Sequence, residues 1–245
     1  ITNRYFYDTD KNLLNLFPIS MKSYNIAKNE DYAFQTDYVL PLSDKSKIET
    51  GAKYTVDQEH GDYDQHNLDS ATNTWILDQS MVDKYTFDRQ VAAIYAIYSG
   101  GFGEFSYSLG LRGENTITKF TQRVTSKTFN NDYFDLFPSL SMSYKITSSD
   151  EVQLNYSRRI NRPGTWYLNP FVDNGDPNSL RYGNPNLDPE YINSYEINYV
   201  KTFSKLSVTP TVFYRQTDNI ISRFSEAISA DVIGQTFKNM DKGYS

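Results

Sequence analysis

Apolar and polar residues alternate at every second position along much of this 245-residue chain. In residues 104–114, which read EFSYSLGLRGE, the aromatic and leucine side chains fall on one face, and the serine, arginine and glutamate side chains fall on the other. The same period is present in residues 47–57, 139–147, 151–157 and 194–199. Because successive side chains of a β-strand point to opposite sides of the sheet, this pattern predicts an all-β chain whose strands each have one apolar and one polar face.

Short and long connections alternate between these predicted strands. The short turns fall near residues 43–45, 100–103, 148–150 and 204–205, and the long polar connections cover residues 58–84, 115–133, 160–192 and 218–235. Barrels of the bacterial outer membrane have tight periplasmic turns and longer extracellular loops. The alternation therefore predicts an antiparallel up-and-down meander of about eight or nine strands, a segment of a transmembrane β-barrel that occupies residues 1–245 as one unit. We expect residues 85–217 to form one continuous sheet in which sequence neighbours pair.

The distribution of charge predicts which face meets lipid. The polar faces of the predicted strands carry the charges, namely Glu49, Lys53, Asp88, Arg112, Glu114, Lys145, Glu151, Glu196 and Arg215. A charge that faces lipid at mid-depth costs on the order of 2–4 kcal/mol, so an apolar face without charges suits contact with a bilayer. Tyrosine and phenylalanine recur near strand ends, as in interfacial aromatic belts. The longest apolar run, residues 91–98, is far shorter than the roughly 20 residues of a spanning helix.

Composition excludes several classes of function. The chain has no cysteine, which removes disulfides, thiolate metal sites and cysteine nucleophiles. Its only two histidines, His60 and His66, lie in one polar stretch, and no Gly-x-Ser-x-Gly motif is present, so neither an enzyme nor a cofactor is predicted. The net charge of −6 is made of interspersed signs without a basic patch, which argues against a nucleic-acid partner.

An acidic stretch in residues 57–69 contains Asp62, Asp64 and His66 at alternate positions, a spacing that could ligate a divalent cation. It lacks the glycine and the distal glutamate of a calcium loop. Charge-rich segments are more often solvated loops, so no metal site is predicted here.

Several longer motifs resemble one protein family. Residues 86–99 resemble a barrel strand of TonB-dependent outer-membrane receptors, specifically of their outer-membrane β-barrel domain family, and the LGLRGE run at 109–114 and FDLFPS at 134–139 are similar to strands of the same family. The most specific part is the order of NYSRRINRP at 155–163, LNPF at 168–171 and GNPNLDPE at 183–190. The resemblance covers about residues 31–217.

The resemblance implies a function and partners. It implies a barrel of about 22 strands in the complete receptor, embedded in outer-membrane lipid of a Gram-negative cell. It also implies a plug domain, energy coupling through TonB, and uptake of a large nutrient such as a siderophore, a glycan or a peptide, in some receptors with a surface lipoprotein. We expect the plug domain and the terminal strands to be absent from residues 1–245.

The densest group of candidate ligand-binding residues lies in the connection 158–191. It combines cationic and aromatic side chains, namely Arg158, Arg159, Arg162, Trp166, Tyr167 and Arg181. Aromatic faces stack on sugars and other rings, and guanidinium groups pair with anions. A structural role is the competing interpretation, in which the arginines pair with inner carboxylates such as Glu114 and Glu196.

A second class of function also fits the pattern. A non-catalytic all-β binding or scaffold module at the cell surface would show the same alternation with its apolar face turned into a protein core. The two alternatives differ in what covers the face of Phe105, Tyr107 and Leu109. A second layer of polypeptide over that face would exclude the membrane barrel.

Overall fold

A computed structural model describes residues 2–5, 7, 10–13 and 19–244. The strands are β1 Thr2–Arg4, β2 Ile19–Ser43, β3 Ser46–Asp69, β4 Thr74–Phe102, β5 Phe105–Gln122, β6 Lys127–Thr147, β7 Asp150–Asn161, β8 Asp173–Asp176, β9 Ser179–Arg181, β10 Glu190–Thr202, β11 Ser207–Val208, β12 Thr211–Ala227 and β13 Ile233–Tyr244. One short helix, α1 Thr165–Leu168, lies between β7 and β8. Within the described ranges, no helix is both long and apolar enough to span a bilayer.

All thirteen strands belong to one sheet. Strands β1 to β7 pair antiparallel in sequence order, and β10, β12 and β13 continue the sheet from β7. On β5 and β6, Leu109 lies opposite Leu140, so the two hairpins predicted to share a sheet are direct neighbours. The antiparallel meander and the continuous sheet over residues 85–217 are therefore confirmed. The additions are β9, which pairs parallel with β13, and β8, which pairs with β9.

The two faces of the sheet differ in what covers them. The face that we call the outer face carries exposed apolar side chains, including Ile94 at 71% exposure, Leu111 at 51% and Phe134 at 64%. These residues are neighbours across β4, β5 and β6, and no described segment packs over them. An apolar surface of this extent is unstable in water and suits the hydrocarbon of a bilayer. The opposite face, the inner face, carries Ser108, Arg112 and Glu114, as the alternation predicts.

One charged residue lies on the other face from the one predicted. Asp88 was expected with the polar inner side chains, but its register places it on the outer face, between Gln58 on β3 and Lys119 on β5. Gln58 Nε2 donates to Asp88 Oδ1 at 2.8 Å. Ile117, the next outer residue of β5, is still 45% exposed, so this polar row begins where the apolar band of the outer face ends.

Three of the four segments predicted to be long connections are strands instead, so that part of the prediction is wrong. Residues 58–84, 115–133 and 218–235 are extended strands joined by turns at 70–73, 123–126 and 228–232. Beyond the apolar band both faces of a strand are polar, so the two-residue alternation of hydrophobicity disappears from the sequence. The backbone ladder continues nevertheless, because its N–H···O=C bonds do not depend on side-chain polarity. Of the four predicted connections, the one between β7 and β10 is irregular.

Pro210 separates two strands that pair with β10. The chain pairs as β11 up to Val208 and again as β12 from Thr211, with Pro210 between them. A proline cannot donate a ladder hydrogen bond, but its carbonyl can still accept one, and here it accepts from Tyr199 N at 3.1 Å. The proline therefore marks a short break between β11 and β12.

Candidate functional site

The connection between β7 and β10, residues 162–189, folds back onto the inner face of the sheet. Its two buried leucines, Leu168 at 5% exposure and Leu187 at 0%, pack against Phe87 of β4 and Phe120 of β5. The Phe120 ring also stacks on Tyr85, with 5.4 Å between the ring centroids. This small core holds the connection, which we call the inner loop, inside the curve of the sheet.

Polar contacts tie one side of the inner loop to β3 and β4. Thr165 Oγ1 donates to Glu59 Oε2 at 2.9 Å, and Tyr85 Oη donates to Glu59 Oε1 at 2.5 Å. Asn169 Nδ2 donates to Asp83 Oδ2 at 2.5 Å. The LNPF motif, to which Asn169 belongs, therefore contacts a strand more than 80 residues earlier in the chain.

Other contacts tie the opposite side of the inner loop to β12 and β13. Strand β9 pairs with the start of β13, and Tyr182 N donates to Gln235 O at 3.0 Å. Asn184 Nδ2 donates to Phe237 O at 3.0 Å, and Tyr182 Oη donates to Glu226 Oε1 at 2.8 Å. The inner loop thus bridges two parts of the sheet that are not hydrogen-bonded to each other.

Gly183 lies where two turns of the inner loop cross. Its N–H donates to Asn169 O at 2.8 Å, and the next N–H, of Asn184, donates to Tyr167 O at 2.7 Å. A Cβ at position 183 would lie 2.6 Å from both of these carbonyl oxygens, which belong to the backbone and have no rotamer to change. The glycine that opens the GNPNLDPE motif is therefore required by the close approach of two backbones.

We expect Gly183→Ala to displace the inner loop and to destabilise its packing by about 2 kcal/mol or more, because the methyl group overlaps fixed carbonyl oxygens. Gly164→Ala is the matched control, since a Cβ there meets nothing within 4 Å. Limited proteolysis of the inner loop measures the effect. Equal cleavage rates in the two variants would contradict the packing at Gly183.

A cleft of about 620 Å³ lies between the inner loop and the walls that it bridges. Its lining combines aromatic side chains from the loop and the sheet with charges of both signs, namely Tyr63, Tyr85, Trp166, Phe171, Tyr182, Phe237, Arg181, Arg223, Glu59, Asp62, Asp83 and Asp173. Trp166 lies inside the curve of the sheet and is nevertheless 67% exposed, although tryptophan side chains are usually largely buried. The arrangement offers one exposed ring for stacking and ionic groups on opposing walls.

The structure separates the six predicted ligand-binding residues into different surroundings. Trp166 and Arg181 line the cleft, and Tyr167 lies beside it with its ring edge-on to Phe237 at 4.8 Å. The other three line no part of the cleft: Arg159 is exposed on β7, and the Arg158 guanidinium lies 4.8 Å from the centre of the Tyr191 ring.

Arg162 has the structural role that was the competing interpretation. Its Nη2 donates to Glu114 Oε2 at 2.5 Å and to Thr116 Oγ1 at 2.9 Å, on the inner face of β5. Glu114 is 7% exposed, so this ion pair holds the start of the inner loop against the sheet. Glu196, the other carboxylate considered, accepts from Asn198 Nδ2 at 2.6 Å.

Several lining residues of the cleft were not predicted. Tyr63 comes from β3, Arg223 from β12 and Phe237 from β13. Each belongs to a strand distant in sequence from the 158–191 segment, and no local motif distinguishes it. Only the sheet register, which places β12 and β13 beside the inner loop, brings these side chains to the cleft.

The acidic stretch 57–69 is part of β3, and its side chains have separate partners. Asp57 pairs with Arg89 at 2.9 Å, Asp62 pairs with Arg123, and Asp64 lies 3.3 Å from His66 Nδ1. Among the residues that the structure describes, no group of three or more histidine or acidic side chains could hold a metal ion. The stretch is a strand and not the loop that its polarity indicated.

Two ionisable groups of the cleft have pKa values shifted by burial, and both lie beyond the apolar band. Burial raises the pKa of the Asp83 carboxyl, although Asn169 and Gln122 donate hydrogen bonds that oppose the shift. Burial also raises the pKa of the Tyr85 phenol, and the Glu59 carboxylate that accepts its hydrogen bond raises it further. Tyr85 therefore remains a hydrogen-bond donor at neutral pH, and burial disfavours the charged form of Asp83.

We expect docking of the inner loop to strengthen on acidification. Because the pKa of Asp83 is raised in the folded state, the folded protein binds this proton more tightly than the unfolded chain. The contribution to stability is present below the ordinary carboxyl pKa and is lost as pH rises through the raised value. Asp83→Asn should remove that part of the pH dependence, and Asp88→Asn should keep it. The measurement is the denaturant midpoint of loop release at several pH values for each variant, followed by Trp166 fluorescence in a Trp75→Phe background. If the two variants have identical pH profiles, Asp83 is not the group responsible for the pH dependence.

Comparison with known proteins identifies relatives of this fold. The model of a family described as outer membrane protein beta-barrel family matches residues 1–245. No curated protein sequence matches the chain.

Several solved structures share the fold at low sequence identity. The copper transporter OprC aligns at 13% identity with a TM-score of 0.65, over 94% of this chain and 35% of its own. The ferric citrate transporter FecA aligns at 14% identity with a TM-score of 0.58, over 89% and 31%. The Serratia marcescens hemophore receptor HasR aligns at 15% identity with a TM-score of 0.57, over 91% and 45%. The chain spans between about a third and a half of the length of these proteins.

Proposed function

Because this chain belongs to the outer membrane protein beta-barrel family, we propose that it is the ligand-binding wall of a receptor that imports a large nutrient. Its location is the outer membrane, and the exposed apolar side chains of its outer face are the surface that contacts lipid. The proposed nutrient is a siderophore, a glycan or a peptide, and the proposed role of the chain is binding without bond chemistry.

The observation that carries this proposal is the cleft beside the inner loop. A surface that only spans the membrane does not need a 28-residue connection folded inward, or an exposed Trp166 beside Arg181 at a cleft of about 620 Å³. Exposed aromatic rings with neighbouring ionic groups are typical of binding sites for small molecules. The cleft lies at the end of the strands beyond the apolar band, which we assign to the extracellular side because the strands extend much further past the band there than at the opposite end.

The solved structures with this fold support the class of function. They include a copper transporter, a ferric citrate transporter and a hemophore receptor in complex with its hemophore and heme. These ligands differ from one another, so the fold is compatible with several nutrients and the side chains of the cleft must select among them.

We expect ligand binding to change the fluorescence of Trp166. The chain has only two tryptophans, and Trp75→Phe leaves Trp166 as the single reporter at the cleft. Ferric siderophores, heme, Cu²⁺, oligosaccharides and short peptides are titrated against the protein in detergent. One of these classes should give a saturable change, and Arg181→Gln should weaken it at least tenfold, which is about 1.4 kcal/mol.

Arg159→Gln is the control for this titration, because Arg159 is an exposed arginine of β7 that does not line the cleft. It should bind as the parent protein does. Equal effects of the two arginine substitutions, or no saturable signal with any of the five classes, would refute ligand binding at the cleft.

The proposed energy source is mechanical coupling to TonB at the inner membrane. Cells that carry the protein should accumulate the ligand found in the titration, and deletion of TonB should abolish accumulation while leaving surface binding intact. Accumulation that persists without TonB would refute the coupling but not the ligand site. A surface lipoprotein remains a further proposed partner.

A further inference from the structure

A second pocket lies on the inner face, on the other side of the inner loop from the cleft. It has a volume of about 350 Å³ and is lined by Lys53, Thr55, Asp57, Arg89, Val91, Arg112, Glu114, Asn161 and Arg162. On β4 its lining residues are Arg89 and Val91, whereas the cleft is lined by Asp83 and Tyr85. The pocket therefore lies four to eight residues further along β4, towards the end of the sheet with the tight turns. Arg162, at the start of the inner loop, is the one residue of the loop in its lining.

The pairing of charges in this pocket leaves an excess of cations. Asp57 accepts from Arg89 Nε and lies 2.9 Å from its Nη2, which accounts for one pair. Glu114 is shared by two arginines, with 2.5 Å from Oε1 to Arg112 Nε and 2.5 Å from Oε2 to Arg162 Nη2. One carboxylate therefore balances two guanidinium groups.

Lys53 adds a second uncompensated charge. It is half-buried on β3, opposite Ala93 of β4 and Gln35 of β2, and among the described residues its ammonium forms no ion pair. Four cations thus face two carboxylates in the lining. Burying an ammonium group without a counter-charge is costly, which makes Lys53 the residue with the most to gain from an anion.

Three further carboxylates of the inner wall lie outside the lining of the pocket. Asp37 accepts from Tyr95 and Gln35, and Asp135 accepts from Tyr191 at 3.0 Å. Asp31 lies beside Asp57 in the register but is exposed. None of the three lines the pocket.

The arginines of the pocket keep N–H groups for which the described residues supply no acceptor. Arg112 uses its Nε on Glu114, and its guanidinium lies 5.4 Å from the Tyr95 ring centre, which fixes its plane. Arg162 Nε is buried and has no acceptor among the described residues. Guanidinium and ammonium groups recognise carboxylate and phosphate oxygens through charge-assisted hydrogen bonds.

We propose that this pocket binds an anionic group of the carboxylate or phosphate class, held by Lys53 and Arg112 with Arg162 beside them. The anion comes either from a free molecule in the barrel interior or from an acidic side chain of a polypeptide segment that lies there. The site is separate from the outward cleft and does not depend on which nutrient the cleft binds.

Binding is tested with citrate and inorganic phosphate on the detergent-solubilised protein by isothermal titration. We expect saturable binding of at least one of them, weakened five-fold or more by Lys53→Gln. Lys47→Gln is the matched control, because Lys47 lies on the inner face of the same strand but is already paired with Glu49 at 3.0 Å. Equal affinities of the two variants would overturn the proposal. So would a failure of both anions to bind when maleimide labelling shows that the pocket is open.

Labelling in native outer membranes distinguishes the two sources of the anion. The chain has no cysteine, so Thr55→Cys introduces a single reactive thiol in the lining of the pocket and keeps Lys53 and Arg112. If the occupant is a free anion, maleimide labels this thiol and added citrate or phosphate slows the reaction at least two-fold. If the occupant is a polypeptide segment, the thiol is protected without additions and becomes reactive after extraction in high salt. Fast labelling that neither anion slows and that salt does not change would refute both sources.

Discussion

Leu111→Arg is expected to prevent stable insertion of the sheet into a bilayer. Leu111 is 51% exposed on the outer face, between Ala96 of β4 and Pro138 of β6, and Leu109 precedes it on the same face of β5. An arginine facing lipid at mid-depth costs about 2–4 kcal/mol, a large part of the stability of a typical domain. Denaturant unfolding in lipid vesicles measures the loss, and heat-modifiable migration on a gel reports assembly.

Ser106→Arg is the control for this charge. Ser106 lies on the same strand, is exposed, and its side chain alternates to the inner face. The added arginine there remains in contact with water, and we expect a change of less than about 1 kcal/mol. If Leu111→Arg and Ser106→Arg lower the stability equally, or if Ser106→Arg lowers it more, then the outer face does not contact lipid.

Phe120→Ala is expected to release the inner loop while leaving the sheet assembled. Phe120 is 2% exposed and packs with Phe87, Leu168 and Leu187. Together these four side chains form the apolar core that holds the inner loop on β4 and β5. Truncation of a buried phenylalanine costs about 3–5 kcal/mol through lost contacts and the cavity left behind. The loss should fall on loop docking, because the strand ladder of β5 does not involve this side chain.

Two readouts separate loop release from loss of the sheet. Protease sensitivity within residues 162–189 should rise strongly, and heat-modifiable migration should be retained. Phe120→Leu, which keeps most of the volume, should cost less than about 1.5 kcal/mol and leave the loop protected. A protected loop in the alanine variant, or simultaneous loss of the sheet, would show that the loop is held by other contacts.

The fold was predictable within the apolar band and not beyond it. There the sheet has different media on its two sides, and this difference is written into the sequence as a period of two residues, as at 104–114. Further along β3 and β4 both sides are polar, so residues 58–84 were interpreted as a loop although they continue the strands. The backbone hydrogen bonds that extend these strands do not depend on side-chain polarity, so the sequence pattern does not reveal them.

The candidate site was predictable in its segment but not in its composition. The motifs at 155–163, 168–171 and 183–190 lie in the connection that folds inward, and Trp166 and Arg181 line the cleft, while ligand binding by them stays a prediction. Arg162 has a structural partner instead, because the buried Glu114 lies within reach of the first residues of the loop. Which of several arginines meets a carboxylate depends on distances across the sheet.

The amino-acid sequence by itself determined the all-β class, the antiparallel order and the division of each strand into an apolar and a polar face, since each follows from residues close together along the chain. The tertiary structure alone decided that the inner loop turns inward, that β12 and β13 supply Arg223 and Phe237 to the cleft, and that Lys53 lacks a counter-charge. These features depend on contacts between residues far apart in the sequence, from 48 positions for Arg162 and Glu114 to 106 positions for Thr165 and Glu59. Such contacts are selected by the curvature and register of the whole sheet, which no local pattern encodes.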